Sequence, residues 1–144
     1  MTTVAAWLPW ALGSALFAAL TAVFAKAGLQ GIDPDYATLV RTAFIAVVLA
    51  LFVAFTGKWS DPRLLPARSW GFLLASALAT GASWVCYFRA LQAGPTAAVA
   101  AVDKFSVVLV AVFALALLHE RLDARGWLGV LLVAAGVVVL ALRR

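Results

Sequence analysis

Five ionisable side chains lie inside stretches of sequence that are otherwise apolar: Lys26, Arg41, Arg89, Asp103 and Lys104. An ionised group surrounded by apolar residues is costly unless it meets an opposite charge, other polar protein groups or water. Asp103 can exchange a proton, and the four cations can bind a carboxylate or a phosphate. These residues are therefore the first candidates for chemistry, and the elements that carry them decide which of them can meet.

The composition indicates the environment of these charges. The chain has 144 residues, of which 66% are hydrophobic, and a mean hydropathy of +1.07. Soluble domains are only about half apolar and cannot bury so much apolar surface at this size. The sequence therefore predicts an integral membrane protein. Its net charge of +5 comes from basic residues at span ends and in short loops, as membrane insertion favours, and does not indicate nucleic-acid binding.

The sequence also lacks the motifs of enzymes and of metal sites. His119 is the single histidine and Cys86 the single cysteine, which argues against a His/Cys metal site and excludes an internal disulfide. A phosphate-binding loop, a nucleophile elbow and a Cys-x-x-Cys motif are missing as well. We therefore expect no enzyme activity, no catalytic residue, no bound metal and no cofactor.

The hydrophobic pattern predicts an all-α protein with five transmembrane helices in a single domain over residues 1–144. The spans are expected at about 7–28, 36–55, 70–91, 96–118 and 126–142. Stretches of this length cross the roughly 30 Å hydrocarbon layer of a bilayer. The fourth begins after the helix breakers Gly94 and Pro95, and Arg143 and Arg144 are expected at the interface that follows the fifth.

Because successive spans alternate in direction, the depths of the five ionisable residues can be compared. All five fall in one leaflet, the one opposite the N-terminus. Two interpretations of this layer compete. In the structural one, Asp103 pairs with Arg41 or Arg89 and fixes the helix register. In the functional one, the excess positive charge lines a water-filled vestibule that attracts a substrate carboxylate or phosphate, with Ser106, one turn from Asp103, in the same site.

Polar and aromatic residues form a stripe along the third span. Ser76, Thr80, Trp84 and Tyr87 follow one another at intervals of four, four and three residues, so they share a helix face. This stripe either lines a cavity or packs against a neighbouring helix.

Three further residues are predicted to be structural. Gly129 and Gly136 lie seven residues apart on one face of the fifth span and indicate a close helix crossing. Glu120 is expected to end the fourth helix and to hold the loop that follows it.

From Trp70 onward, the order of short motifs resembles the EamA-type domain of the drug/metabolite transporter superfamily. The residues that carry the resemblance are those of three segments, WVCYFRALQAGP (84–95), LLHERL (117–122) and GWLG (126–129) with Gly136 beyond them. The segment VDKFS (102–106) resembles the five-span bacterial and archaeal branch. Many members have a proline shortly before the Asp position, where this chain has Ala101, and a glycine where it has His119. The first departure removes the residue expected to break the helix near Asp103, and the second is expected to matter little.

The resemblance implies that one copy of the domain must pair to complete a translocation path, because longer relatives carry two copies in opposite orientation. The charge bias bears on how the copies are oriented. Five basic residues fall on the N-terminal side and four on the other; the first set is Lys58, Arg63, Arg68, Arg121 and Arg125, and the second is Lys26, Arg89, Arg143 and Arg144. Such a weak bias barely specifies orientation and is compatible with an antiparallel dimer of identical chains.

The sequence thus predicts a multi-pass transporter protomer of the cytoplasmic (inner) membrane. It would contact lipid, pair as a homodimer (antiparallel or parallel) or with a related protomer, and move a small metabolite or drug-like solute by alternating access, coupled to a proton or an exchanged solute. The alternative is a non-transporting membrane subunit that stabilises or regulates a partner complex. The candidate pathway or coupling residues are Arg41, Trp84, Tyr87, Arg89, Asp103, Lys104 and Ser106.

Overall fold

The computed structural model describes residues 4–142, with side chains from Ala6 onward, and this part of the chain is helical without strands. The expected placement of Arg143 and Arg144 falls outside the described residues. Six α-helices follow one another, with a 3₁₀ turn at Pro62–Leu64 and a π-helical turn at Ala114–Leu118. The helices are α1 (Val4–Gly28), α2 (Pro34–Phe55), α3 (Ala67–Ala93), α4 (Thr96–Asp103), α5 (Ser106–Phe113) and α6 (Ala124–Ala141).

Five helical segments are long and apolar enough to cross a membrane, as the sequence predicts. They are Ala6–Gly28, Pro34–Phe55, Ala67–Ala93, Thr96–Leu118 and Ala124–Ala141. The expected boundaries differ from these by at most three residues. The third span is the longest because its helix begins at Ala67, directly after Pro66 and within the basic loop.

Aspartate side chains begin two of the helices. Asp33 accepts hydrogen bonds from the backbone amides of Asp35 and Tyr36, both at 3.0 Å, and Pro34 occupies the first helical position of α2. Asp123 accepts from the amide of Gly126 at 2.8 Å and begins α6. These carboxylates satisfy amides that have no partner in the first turn and complement the positive end of the helix dipole.

The fourth span is not one continuous α-helix. α4 ends at Asp103 and α5 begins at Ser106, and the intervening Lys104 and Phe105 form a turn. The amides of Lys104, Phe105, Val107 and Val108 each donate to the carbonyl three residues earlier, at 2.9 to 3.0 Å. This tightening changes the direction of the side chains within the span. The interruption occurs without a proline, so the helix break that the departure at Ala101 put in doubt is present.

The end of the fourth span also differs from a regular helix. Its last turn, Ala114–Leu118, is π-helical, and His119 follows in the left-handed conformation with φ 58°. The amide of Glu120 then donates to the carbonyl of Ala114 at 3.1 Å. His119 therefore occupies the position at a helix end where glycine is preferred, because a Cβ atom is strained there.

The chain divides into two compact units. The central unit comprises Phe24–Gln92, and the terminal unit comprises Met1–Val23 together with Ala93–Arg144. In the central unit, the buried side chains are Leu29, Thr38, Phe88 and Leu91, and Leu91 is completely buried. They belong to the turn after α1, the start of α2 and the end of α3, and the polar side chains described below lie in the same segments.

In the terminal unit, α6 packs against both halves of the interrupted fourth span. The buried side chains of this unit are Ala22, Ala111, Val130 and Val137. Val130 and Val137 lie two helical turns apart on one face of α6. Most large apolar side chains of the described residues are exposed, as expected where lipid or another protein surface covers them.

Candidate functional site

The guanidinium group of Arg41 stacks on aromatic side chains of α3. Its carbon Cζ lies 4.2 Å from the centre of the Trp84 ring and 5.5 Å from that of Phe88. Both distances are within the range of cation–π attraction, which is strongest where water is excluded. Arg41 is the eighth residue of α2, about 10 Å along the helix from its start. The stack therefore holds a positive charge inside the second span.

One nitrogen of this guanidinium has no hydrogen-bond partner. Arg41 is half-buried, and its NH1 atom is buried without an acceptor among the described residues. The two ion pairs within residues 4–142 involve other cations, so the charge of Arg41 is not balanced by a carboxylate of this part of the chain. A buried charged donor without an acceptor is costly, and such groups are rare in folded proteins.

Arg89 has a partner of its own. Its Nε atom donates to Oδ1 of Asp35 at 2.8 Å, and its NH2 atom donates to Oδ2 at 2.6 Å. The two parallel bonds form the forked geometry in which arginine binds a carboxylate most specifically. The side chains are 61% and 46% exposed, so the pair lies at the edge of the central unit. Arg89 is therefore neutralised, whereas Arg41 is not.

Two further side chains bind backbone carbonyls in the same part of the central unit. Nζ of Lys26, at the end of α1, donates to the carbonyl of Leu91 at 2.5 Å, and Nε2 of Gln92 donates to the carbonyl of Ile32 at 3.1 Å. Leu91 and Gln92 belong to the last turn of α3, where carbonyls lack helical partners. Together with the Arg89–Asp35 pair, these bonds join the end of α3 to the region where α1 ends and α2 begins.

In the terminal unit, Asp103 accepts a hydrogen bond from its neighbour Lys104, with Nζ 3.2 Å from Oδ2. Asp103 ends α4, Lys104 lies in the interruption, and Ser106 begins α5 with its side chain exposed. The side chain of Asp103 is 36% exposed and that of Lys104 is 56% exposed. The interruption thus concentrates a carboxylate, an ammonium group and a hydroxyl within four residues of one span.

The partners of these charges differ from the expected ones. The structural hypothesis paired Asp103 with Arg41 or Arg89. Arg89 instead binds Asp35 in the central unit, and Asp103 binds Lys104 in the terminal unit. A pairing of Asp103 with Arg41 or Arg89 would join the two units and stays a prediction. Asp35, in the first turn of α2, is a carboxylate that the sequence analysis did not pair with these cations.

The polar stripe of α3 divides into two parts. Trp84 and Tyr87 are half-buried, and Trp84 packs against the guanidinium of Arg41. Ser76 and Thr80 are exposed, and the Thr80 hydroxyl donates to the carbonyl of Ser76 at 2.9 Å. The stripe therefore packs in the half that faces Arg41, and a lining role for Tyr87 stays a prediction.

The residues expected to be structural have different surroundings. The backbone amide of Glu120 closes the end of the fourth span, as described above. A Cβ atom added to Gly129 or Gly136 would have no atom within 4 Å among the described residues. The close crossing expected at these glycines is thus not made within this part of the chain.

Comparison with known proteins agrees with this architecture. A protein of a Sinorhizobium species, described as an uncharacterized transporter in the cobO 3′ region, is 55% identical over 135 residues, which cover 94% of this chain and 96% of that protein. No solved structure matches the chain significantly. The model of the EamA-like transporter family matches residues 5–142. The chain has the five apolar helices of a multi-pass membrane protein, and the family model matches nearly its whole length. It therefore belongs to the EamA-like transporter family.

Proposed function

We propose that the chain is one protomer of a secondary transporter in the cytoplasmic (inner) membrane. It moves a small metabolite or drug-like solute by alternating access and works as a dimer, without enzyme activity. Its membership of a transporter family and its relative described as a transporter support transport in general. The observation that carries the finer proposal is the interruption of the fourth span at Lys104 and Phe105.

An interrupted span is informative because lipid cannot satisfy polar groups. Within the hydrocarbon layer, irregular backbone and charges are tolerated only where protein covers them or where they line a water-filled cavity. In many secondary transporters the binding site lies where a span is discontinuous. In this span the amides around the interruption keep hydrogen bonds to the carbonyls three residues earlier, so the charged side chains are the groups that need a polar surrounding. In this protomer, the side chain of Lys104 is 56% exposed, so covering it requires water or a second protein surface. A pathway completed by a second copy provides both.

Each residue of the interruption has a proposed role. Asp103 couples transport to a proton or to an exchanged solute, because its carboxylate can be held by Lys104 or protonated. Lys104 balances the carboxylate in one state and is available to solute in the other. Ser106 offers a hydroxyl at the start of α5. These roles require that the solute-loaded and empty states differ in the contacts of the Asp103–Lys104 pair.

Reconstitution of the purified protein in liposomes tests the proposal. A panel of candidate solutes is added outside, and a pH-sensitive dye trapped inside reports solute-dependent proton flux. We expect flux in the native protein and its loss in Asp103→Asn, with unchanged folding and elution from size-exclusion chromatography. Asp61→Asn is the matched control, because Asp61 caps the 3₁₀ turn outside the spans and asparagine also caps well.

Two results would contradict the proposal. Full flux in Asp103→Asn would remove this carboxylate from coupling. Absence of both proton flux and counterflow of labelled solute, together with persistent co-purification of another protein, would instead support a non-transporting subunit.

A further inference from the structure

The guanidinium of Arg41 differs from the ionised groups of the described spans that form ion pairs. Arg89 is bound by Asp35, and Lys104 is bound by Asp103. Arg41 has aromatic rings on its face and an NH1 atom that is buried without an acceptor among the described residues. We propose that Arg41, held by Trp84 and Phe88, is the binding site for the carboxylate of a small organic monoanion.

The stacking determines the direction from which an anion can bind. Trp84 covers the face of the guanidinium, with 4.2 Å between Cζ and the ring centre. The five N–H donors of a guanidinium point outward in its plane, so a ring on the face does not occupy them. A planar carboxylate meets two of these donors at once. The aromatic rings thus position the cation without using the donors that an anion needs.

The charge of the site favours a monoanion. Next to Arg41, the Arg89–Asp35 pair is neutral, and the Lys26 ammonium group binds the Leu91 carbonyl, while the charge of Arg41 is not part of an ion pair among the described residues. Arg41 also lies about 10 Å from the start of the span, where each additional charge is expensive to bring out of water. A singly charged carboxylate balances the charge of Arg41 itself, whereas a phosphate dianion brings a second negative charge that Arg41 does not balance. The phosphodiester of a lipid headgroup also carries a single negative charge and is the alternative source of a monoanion.

The inference rests on the proposed transport function only in identifying the anion as a substrate. Binding itself is measured on the purified, delipidated protein in a zwitterionic detergent by its thermal unfolding. The probes are benzoate and acetate as carboxylates, benzamide as a neutral analogue and benzylamine as a cationic one. A ligand that binds only the folded state raises the melting temperature according to its concentration and affinity.

We expect both carboxylates, and neither of the other probes, to raise the melting temperature of the native protein. In Arg41→Gln the apparent affinity for benzoate should fall at least about tenfold, since a charge-assisted bidentate contact is lost. Arg41→Lys keeps the charge without the planar fork and should retain a weakened response. Arg68→Gln is the matched control and should respond like the native protein, because this exposed arginine near the start of α3 also contacts an aromatic ring, with Cζ 5.8 Å from the centre of Phe72.

Three results would overturn the inference. Equal responses of the native protein and Arg41→Gln would show that the carboxylates bind elsewhere. Equal responses to benzoate and benzamide would show that the aromatic body, rather than the charge, is recognised. In nanodiscs, stabilisation by phosphatidylglycerol that depends on Arg41, without any response to free carboxylates, would identify a lipid headgroup as the occupant.

The outcome is separable from that of the transport proposal. Carboxylate binding that depends on Arg41 in a protein without flux would preserve the anion site and refute the transporter. Flux that requires Asp103 in a protein without carboxylate binding would preserve the transporter and refute the anion site.

Discussion

Arg89 and Asp35 join the end of α3 to the start of α2 through two parallel hydrogen bonds of 2.8 and 2.6 Å. The pair leaves Arg41, six residues after Asp35 on α2, as the guanidinium in the central unit that no described carboxylate balances. One arginine therefore joins two helices of the central unit through an ion pair, and the other stacks on Trp84 and Phe88.

The Arg89–Asp35 pair should show strong coupling in a double-mutant cycle. Arg89→Ala and Asp35→Ala should each lower the melting temperature in detergent. The melting temperature of the double variant should be no lower than that of the less stable single variant. Arg89→Lys should recover only part of the loss, because an ammonium group cannot form the fork. Additive effects of the two single changes would show that the pair contributes no mutual stabilisation.

Trp84 should stabilise the protein through Arg41. Trp84→Leu should cost about 0.5–2 kcal/mol beyond the loss of packing, since a ring 4.2 Å from a partly buried guanidinium gains this much. Trp84→Phe should retain a fraction of the effect. The same Trp84→Leu change in an Arg41→Met background should cost less, as measured by unfolding in mixed detergent micelles. An equal cost in both backgrounds would assign Trp84 to packing alone.

Much of this fold follows from composition and local rules. Apolar stretches of 18 to 27 residues specify five spans, and Asp33 and Asp123 begin helices as their side chains favour. Lys26, Arg41 and Arg89, for which the alternation of direction predicts a common depth, all belong to the central unit. The depth of a residue in the membrane depends on its position along its span, and this position can be counted in the sequence.

Partner choice and local irregularity were not predictable in the same way. Whether Arg89 meets Asp35 or Asp103 depends on helix rotation and side-chain conformation, which hydropathy does not record. The interruption at Lys104 also gives little signal, because the neighbouring residues are all compatible with a helix. The left-handed conformation of His119 was missed since it normally calls for glycine or asparagine.

His119→Gly should stabilise the protein. The backbone of His119 has φ 58°, where a Cβ atom costs about 1–2 kcal/mol. Glycine removes this cost, but it also raises the entropy of the unfolded chain, which lowers the free energy of unfolding by about 0.4–1 kcal/mol. A net gain of about 0.5–1 kcal/mol is expected. Thermal unfolding measures it, with His119→Ala as the control that keeps the strain. Equal stability of the glycine and alanine variants would show that the strain is not significant.

Gly129 and Gly136 should contribute to the contact between copies. Both have open space around the position of an added Cβ atom, so leucine can enter without a clash among the described residues. We expect Gly129→Leu and Gly136→Leu to leave folding intact and to reduce the dimer fraction measured by light scattering in detergent. Gly81→Leu, at an equally open glycine of α3, is the matched control. An unchanged dimer fraction in all three variants would place the interface elsewhere.

The weak charge bias should produce two orientations in the membrane. With Cys86 replaced by Ser, single cysteines at Ser60 and Gln30 lie in loops on opposite sides of the five-span topology. A membrane-impermeant thiol reagent should label each in about half of the molecules, because five basic residues against four give little preference. Adding Thr56→Lys and Asp61→Lys should shift labelling towards Gln30. Exclusive labelling of Gln30 without these lysines would refute the antiparallel homodimer, and the pathway would then require a parallel dimer or an oppositely oriented partner.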